Sequence, residues 1–159
     1  MAHLINISLV LAISFAVLQL TNAHDAGNSH EDYVSVHNCI RKVLNLPPLV
    51  YDPEMEKFAQ SWADQRKDCA MIHSDRCGEN MASGPDMNIT YGIQLWLDER
   101  LDYDYPNNNC MKMCGHYTQI VWKNTQRVGC ARSQCADPTC WVVVCNYDPP
   151  GNVVGQWPY

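Results

Sequence analysis

Between residues 31 and 45 the apolar positions recur with the period of a helix. Tyr33, Val36, His37, Ile40, Val43 and Leu44 share one face. Glu31 and Asp32 suit the positive N-terminal end of that helix, and Arg41 and Lys42 the other. Pro47-Pro48 stops it. A second helix is predicted from Asp52 as N-cap, with Pro53 at its first position and Glu54 and Glu56 in the first turn. Its apolar stripe is Met55, Phe58, Ala59, Trp62 and Ala63, and it is expected to end near Cys69. Residues 74–88 read as loop, rich in Ser, Gly, Asp and Pro. A third helix is predicted from about Thr90 to Leu101, with Ile93, Trp96, Leu97 and Arg100 on one side. A polar, aromatic loop follows from Tyr103 to Asn109, then a short helix from His116 to Trp122. Val128–Arg132 and the β-branched run Trp141–Tyr147 read as strands, separated by a turn at Asp137-Pro138. The last residues carry too much Pro and Gly for regular structure. Helices early and paired strands late predict an α+β domain in layers.

The first stretch is set apart by charge. Residues 1–23 hold no Asp, Glu, Lys or Arg, and their apolar centre runs from about Leu4 to Leu18. With Thr21-Asn22-Ala23 behind it, this reads as a secretory signal peptide cut after Ala23. The alternative, a retained membrane anchor, asks for about 20 apolar residues, more than are present. An exported chain from His24 is expected, with residues 24–30 as a flexible arm and 31–159 as one domain. The 159 residues include 17 acidic and 11 basic side chains, a formal net charge of −6 and a pI near 5.3. That balance argues against binding to phosphate backbones or anionic membranes. Nine cysteines agree with an oxidising compartment. The close Cys-x-x-Cys pairs of a zinc ribbon are absent, the nearest approach being Cys110-x-x-x-Cys114. An odd number leaves one thiol free, capped, or paired between chains. Asn88-Ile89-Thr90 is a glycosylation sequon.

Two histidines stand at loop edges: His73, close before Glu79, and His116, further after Glu99. Neither spacing is a metal motif, and there is no His-Glu-x-x-His or Gly-x-Ser-x-Gly. The plain reading of the two glutamates is capping or surface charge. His37, on an apolar helix face, reads as a hydrogen-bonded core residue.

Gly115-His116-Tyr117-Thr118-Gln119-Ile120-Val121-Trp122 and Cys145-Asn146-Tyr147-Asp148-Pro149-Pro150-Gly151-Asn152-Val153 resemble the two signatures of the CAP superfamily (cysteine-rich secretory proteins, antigen 5, pathogenesis-related protein 1). His37-Asn38-x-x-Arg41, Cys69-Ala70-Met71-Ile72-His73-Ser74 and Gly78-Glu79-Asn80 fall in the expected order. The ending Gly155-Gln156-Trp157-Pro158-Tyr159 is similar to the plant pathogenesis-related protein 1 branch.

The resemblance implies a disulfide-stabilised three-layer α-β-α sandwich. It implies that His73, Glu79, Glu99 and His116 converge in one cleft. There two imidazoles would hold zinc or another divalent cation weakly, with the carboxylates orienting its water. Acid would release such an ion, and His73→Ala with His116→Ala would abolish its binding, as calorimetry can check. It further implies the bridges Cys69–Cys135, Cys110–Cys114 and Cys130–Cys145. Cys39, Cys77 and Cys140 are extra, with Cys39–Cys77 one guess for a fourth bridge. The loop with Tyr103, Tyr105 and Pro106 corresponds to one associated with sterol binding in relatives, and packing over the core is its bland alternative. A processing site between Asp148 and Pro149 would release Pro149–Tyr159 as a defence peptide. The implied function is a monomeric, apoplastic defence protein that binds sterols or related lipids of microbes. The alternative is a divalent-metal-dependent hydrolase with Glu99 or Glu79 as general base.

Overall fold

The computed structural model describes residues 26–159, so the predicted signal segment and its boundary at Ala23 lie outside the described residues. The elements in chain order are α1 (His30–Val43), β1 (Val50–Tyr51), α2 (Pro53–Gln65), β2 (Glu79–Pro85), α3 (Ile89–Asp98), a 3-10 turn (Glu99–Asp102), β3 (Tyr103–Asp104), β4 (Asn109–Cys110), α4 (Gly115–Ile120), β5 (Arg127–Gln134) and β6 (Cys140–Asp148). Four strands form one sheet in the order β1-β5-β6-β2. β1 runs parallel to β5, and the other neighbours are antiparallel. β3 and β4 make a separate small hairpin.

The central strands explain the layers. Side chains alternate across a strand. Val128, Cys130, Val143, Cys145 and Tyr147 face a core shared with Tyr33 of α1, Ile89, Ile93 and Trp96 of α3, and Tyr117 and Ile120 of α4. Their neighbours Ala131, Val142 and Val144 face the other way, against Ala59 and Ala63 of α2, with Met81 of β2. Helices therefore cover both faces, in an α-β-α sandwich. The run Val142-Val143-Val144 is wholly buried because both faces are dry. Each such side chain contributes roughly 1.5–3 kcal/mol. Gly129 lets α2 come this close: a Cβ there would lie 2.1 Å from the Glu56 backbone nitrogen.

The caps follow the sequence. The side chains of Ser29, Asp52 and Asn88 cap α1, α2 and α3 by accepting from Asp32, from Glu54 and Met55, and from Tyr91 backbone N–H groups. Three disulfides join Cys69–Cys135, Cys110–Cys114 and Cys130–Cys145. Cys39, Cys77 and Cys140 are thiols, so no Cys39–Cys77 bridge is formed.

Four details depart from the sequence reading. β2 lies within the stretch read as loop, paired along its length with β6. α2 ends at Gln65 rather than near Cys69, since Arg66 leaves helical geometry and Cys69 takes a left-handed φ of 56°. Arg41, read only as a charge suited to the C-terminal end of its helix, is wholly buried. The described part of the arm is docked rather than loose. The Gly27 carbonyl accepts from Thr90 N–H, the Asn28 side chain accepts from Ile89 N–H, and Gly27 N–H reaches Asp32.

Candidate functional site

Glu79 opens edge strand β2 and points toward the α2 side of the sheet. Its carboxylate is only 2 % exposed and accepts from the His73 ring, as Nδ1 lies 2.9 Å from Oε1. It also accepts from Ser74 N–H at 2.9 Å, Ser74 Oγ–H at 2.6 Å and Asn146 Nδ2 at 3.3 Å. His73 itself is 55 % exposed and stands on the segment between α2 and β2.

The second pair stands at the N-terminus of α4. Glu99, first residue of the 3-10 turn, accepts from His116 Nδ1 at 2.6 Å and from His116 and Tyr117 backbone N–H groups at 3.1 and 3.3 Å. Glu99 therefore caps α4 and holds its histidine in one act. Trp96 stacks on His116 at 5.8 Å between ring centroids. Asn80, on the opposite face of β2 from Glu79, donates to the His116 carbonyl at 3.0 Å and to the Tyr147 hydroxyl at 3.3 Å. The structure thus forms two carboxylate–imidazole pairs, Glu79–His73 and Glu99–His116, with Asn80, next to Glu79 along β2, bonded to the His116 carbonyl.

The donor chemistry fits a divalent ion in one respect. A carboxylate on Nδ1 fixes the tautomer of each ring and leaves Nε2 as the acceptor, the arrangement that supports metal-binding histidines. No hydrogen bond is formed by Nε2 of His73 or of His116 among the described residues. The carboxylates, in contrast, are largely engaged, Glu79 by four donors and Glu99 by three. A different trio, His37, Cys130 and Cys145, has its ligand atoms within 4.8 Å of one another. It is no ion site: the two sulfurs are bonded to each other. His37 Nδ1–H donates to the Tyr33 carbonyl, and Nε2 accepts from the Tyr147 hydroxyl. Burial, helped by nearby Arg41, lowers the His37 pKa to about 4, so the ring is neutral.

Arg41 supports α4 from beneath. Its guanidinium donates to the carbonyls of Pro47, Ile120, Trp122 and Thr125 at 2.8 to 3.0 Å. Burial lowers its pKa to about 10, leaving it charged at neutral pH. Sequence reasoning missed Arg41, Asn80 and Asn146 as supports. The polar residues beside Glu79 and Tyr147 in the quoted motifs were the available signal.

Tyr103, Tyr105 and Pro106 lie on the β3–β4 hairpin, which the final segment covers. The Tyr159 ring stacks on Tyr105 at 4.8 Å and meets Tyr103 edge-on at 6.5 Å. Tyr105 OH donates to the backbone oxygen of Tyr159 at 2.8 Å, and Trp157 Nε1 donates back to the Tyr105 carbonyl at 2.9 Å. Burial raises the Tyr103 pKa to about 12. Beside this stack lies a cleft of about 330 Å³ lined by Tyr103, Thr118, Trp122, Asn152, Val153 and Pro158. The strap is fastened along its length. Asp148 pairs with Arg127, Thr125 Oγ–H donates to the Pro149 carbonyl, Gly151 N–H to Gln119, and Lys123 N–H to the Pro158 carbonyl.

The Cysteine-rich secretory protein family, CAP, matches residues 34–147. Pathogenesis-related leaf protein 4 of Solanum lycopersicum is 45 % identical over 160 residues, covering 98 % of this chain and 99 % of the relative. Pathogenesis-related protein 1A of Nicotiana tabacum is 43 % identical over 157 residues, covering 94 % and 93 %. Among solved structures, NaASP2 with Zn2+ superposes with a TM-score of 0.68 at 26 % identity, covering 85 % of this chain and 88 % of that one. The venom allergen-like protein 4 of Schistosoma mansoni shares the fold at 24 % identity, with a TM-score of 0.70 and coverage of 84 % and 94 %. The chain belongs to the CAP family. Within it, it is of the plant pathogenesis-related protein 1 type.

Proposed function

We propose that this chain is a secreted, apoplastic defence protein that binds sterols or related apolar-ring lipids of microbes at the tyrosine hairpin. The observation that carries the reading is the cleft between Tyr103 and the final strap. Aromatic rings, Val153 and Pro158 offer flat apolar walls to a rigid ring system, while Asn152 and Thr118 supply polar atoms for an alcohol. Its volume is at the small end of ligand pockets, roughly 300–1,000 Å³. A full sterol therefore enters by displacing part of the strap, with Tyr159 the first group to leave. Export follows from residues 1–23, and a glycan at Asn88 is compatible with its cap because the Oδ1 atom makes the capping bond.

Release of Pro149–Tyr159 as a peptide requires the bonds from Thr125, Gln119, Lys123 and the hairpin to open first. Cleavage between Asp148 and Pro149 is thus expected from a locally opened strap and not from the closed form. At the two histidines we propose a weak, exchangeable zinc site, favoured by the carboxylate on each Nδ1 and by the Zn2+ recorded with NaASP2. A hydrolase is the poorer reading. A general base needs a free lone pair facing substrate; four donors occupy the acceptor sites of Glu79 and three occupy all but one of those of Glu99.

The test is a titration of the exported chain with a fluorescent sterol. Tyr103→Ala with Tyr105→Ala is expected to weaken binding at least tenfold, whereas His73→Ala with His116→Ala leaves it unchanged. Undiminished binding by the tyrosine variant refutes the assignment of the site. Zinc-dependent ester or peptide hydrolysis lost in Glu99→Gln would establish the hydrolase instead.

A further inference from the structure

We propose that Cys69, Cys135 and Cys140 form a thiol–disulfide exchange centre, in which Cys140 replaces Cys69 as the partner of Cys135 and frees the segment carrying His73. Cys135 directly follows β5, and Cys140 opens β6. Gln134 and Trp141 are opposite one another in the ladder, so Cys135 and Cys140 are the next pair outward. The bond from Cys135 N–H to the Cys140 carbonyl, 3.0 Å, continues the ladder through them. Opposite residues of that hydrogen-bonded kind lie about 5.5 Å apart at Cα. The span accepted by a disulfide is about 4.4–6.8 Å.

The same hairpin already carries one such bridge. Cys130 and Cys145 are opposite one another, 4.1 Å apart at Cα, and face the α1, α3 and α4 core. An odd number of residues further along each strand, the outer pair faces the other side. Accordingly Cys135, Cys69 and Cys140 all pack in the α2-side cluster with Trp62 and Val142. The Cys140 thiol is half-buried, with Sγ 3.8 Å from Asp137 Oδ2 and from Thr139 Oγ1. It is thus a free thiol held beside an existing disulfide.

The step balances without an external oxidant. Cys140 Sγ gives up its proton to solvent and attacks Cys135 Sγ. The Cys135–Cys140 bond forms as the Cys69–Cys135 bond breaks. The electron pair leaves on Cys69 Sγ, which takes up a proton. Cys69 sits at a left-handed φ of 56°, a region that disfavours a side chain with Cβ, and exchange lets it relax. The bridge that is lost joins residues 66 apart in sequence, while its replacement closes only the turn between β5 and β6. Residues 66–78 then keep to the domain through hydrogen bonds alone, among them Ala136 N–H to the Lys67 carbonyl, 2.7 Å, Trp62 Nε1 to the Ile72 carbonyl, 3.0 Å, and Tyr147 N–H to the Gly78 carbonyl, 2.8 Å. Loss of the covalent tie loosens the segment that presents His73 and Ser74 to Glu79, and leaves the Glu99–His116 pair untouched.

Non-reducing peptide mapping tests this, with acid cleavage at Asp137-Pro138 separating the two cysteines. In Cys69→Ser the Cys135–Cys140 bridge is expected to form in a glutathione redox buffer, with Cys130–Cys145 intact. Should that variant fail to fold, the unaltered chain is equilibrated in the same buffer and quenched with acid. A Cys135–Cys140 fragment with a matching Cys69 thiol is expected, and both vanish in Cys140→Ser. Two alkylatable thiols at Cys135 and Cys140 in folded Cys69→Ser, or no Cys135–Cys140 fragment from the equilibrated chain, overturns the proposal.

Discussion

The two candidate sites are built on opposite principles. In the carboxylate–imidazole pairs every carboxylate oxygen has donors and the histidines are aimed. At the tyrosine hairpin the contacts are stacked rings and a strap laid over them, with a cleft alongside. Carboxylates engaged by three or four donors position other groups, whereas stacked rings are replaceable by another flat apolar surface. The contrast is the physical basis of the two proposals, a zinc site for the first region and lipid binding by shape for the second. A chain of hydrogen bonds also ties the first region to the deep core. It runs from His37 through the Tyr147 hydroxyl and Asn80 to the His116 carbonyl, and the hairpin has no part in it.

The sharpest way to break the contrast is to remove a support common to both regions. Arg41→Met removes the donor to the carbonyls of Pro47, Ile120 and Thr125, while the Trp122 carbonyl keeps the Thr125 N–H. It is expected to cost about 3–5 kcal/mol, read as a lower denaturant midpoint, with both sites lost together. Acid separates the regions. The unfolded chain takes up a proton at His37 near pH 6.5, while the folded chain resists until about pH 4. Stability from this residue is complete above pH 6.5 and is lost as pH falls toward 4, by about 3 kcal/mol. His37→Gln should flatten that slope in pH-dependent unfolding. Glu79→Ala is local to one pair. It strands the donors of His73, Ser74 and Asn146 and is expected to cost about 2 kcal/mol. Hydrogen exchange should rise in residues 70–78 and not in the hairpin. Tyr159→Ala is the smallest change. Loss of its stacking is worth about 1 kcal/mol, seen as altered Trp157 fluorescence, with zinc affinity unchanged and sterol affinity raised.

The Ser29 and Asn88 caps emerged only with the structure, but the helical segments were readable from the spacing of their apolar positions and, for α2, from the Asp52 cap before Pro53. The valine run announced β6 for the same reason. β2 was not legible because its residues, Glu79–Pro85, have little strand preference of their own. They become a strand by pairing with β6, and small Ala82 packs beneath Gly92 of α3. Arg41 misled because a basic residue in a last helical turn is ordinarily on the surface. What brings it inside is a set of orphan carbonyls far along the chain, which no local pattern displays. The site residues were legible through the resemblance and not through spacing. Glu79 and His73 meet by a short turn, but Glu99 and His116 meet only because the 3-10 turn runs into the start of α4. The commitment of Tyr105 to Tyr159 was invisible from sequence, since it joins two irregular segments.

The most direct measurement is a crystal structure of the exported chain soaked with a sterol analogue. The tyrosine-cleft assignment predicts ring density against Tyr103 and Trp122, with the alcohol near Asn152 or Thr118 and the Tyr159 ring displaced. Ligand density elsewhere, with Tyr159 still stacked on Tyr105, would contradict it.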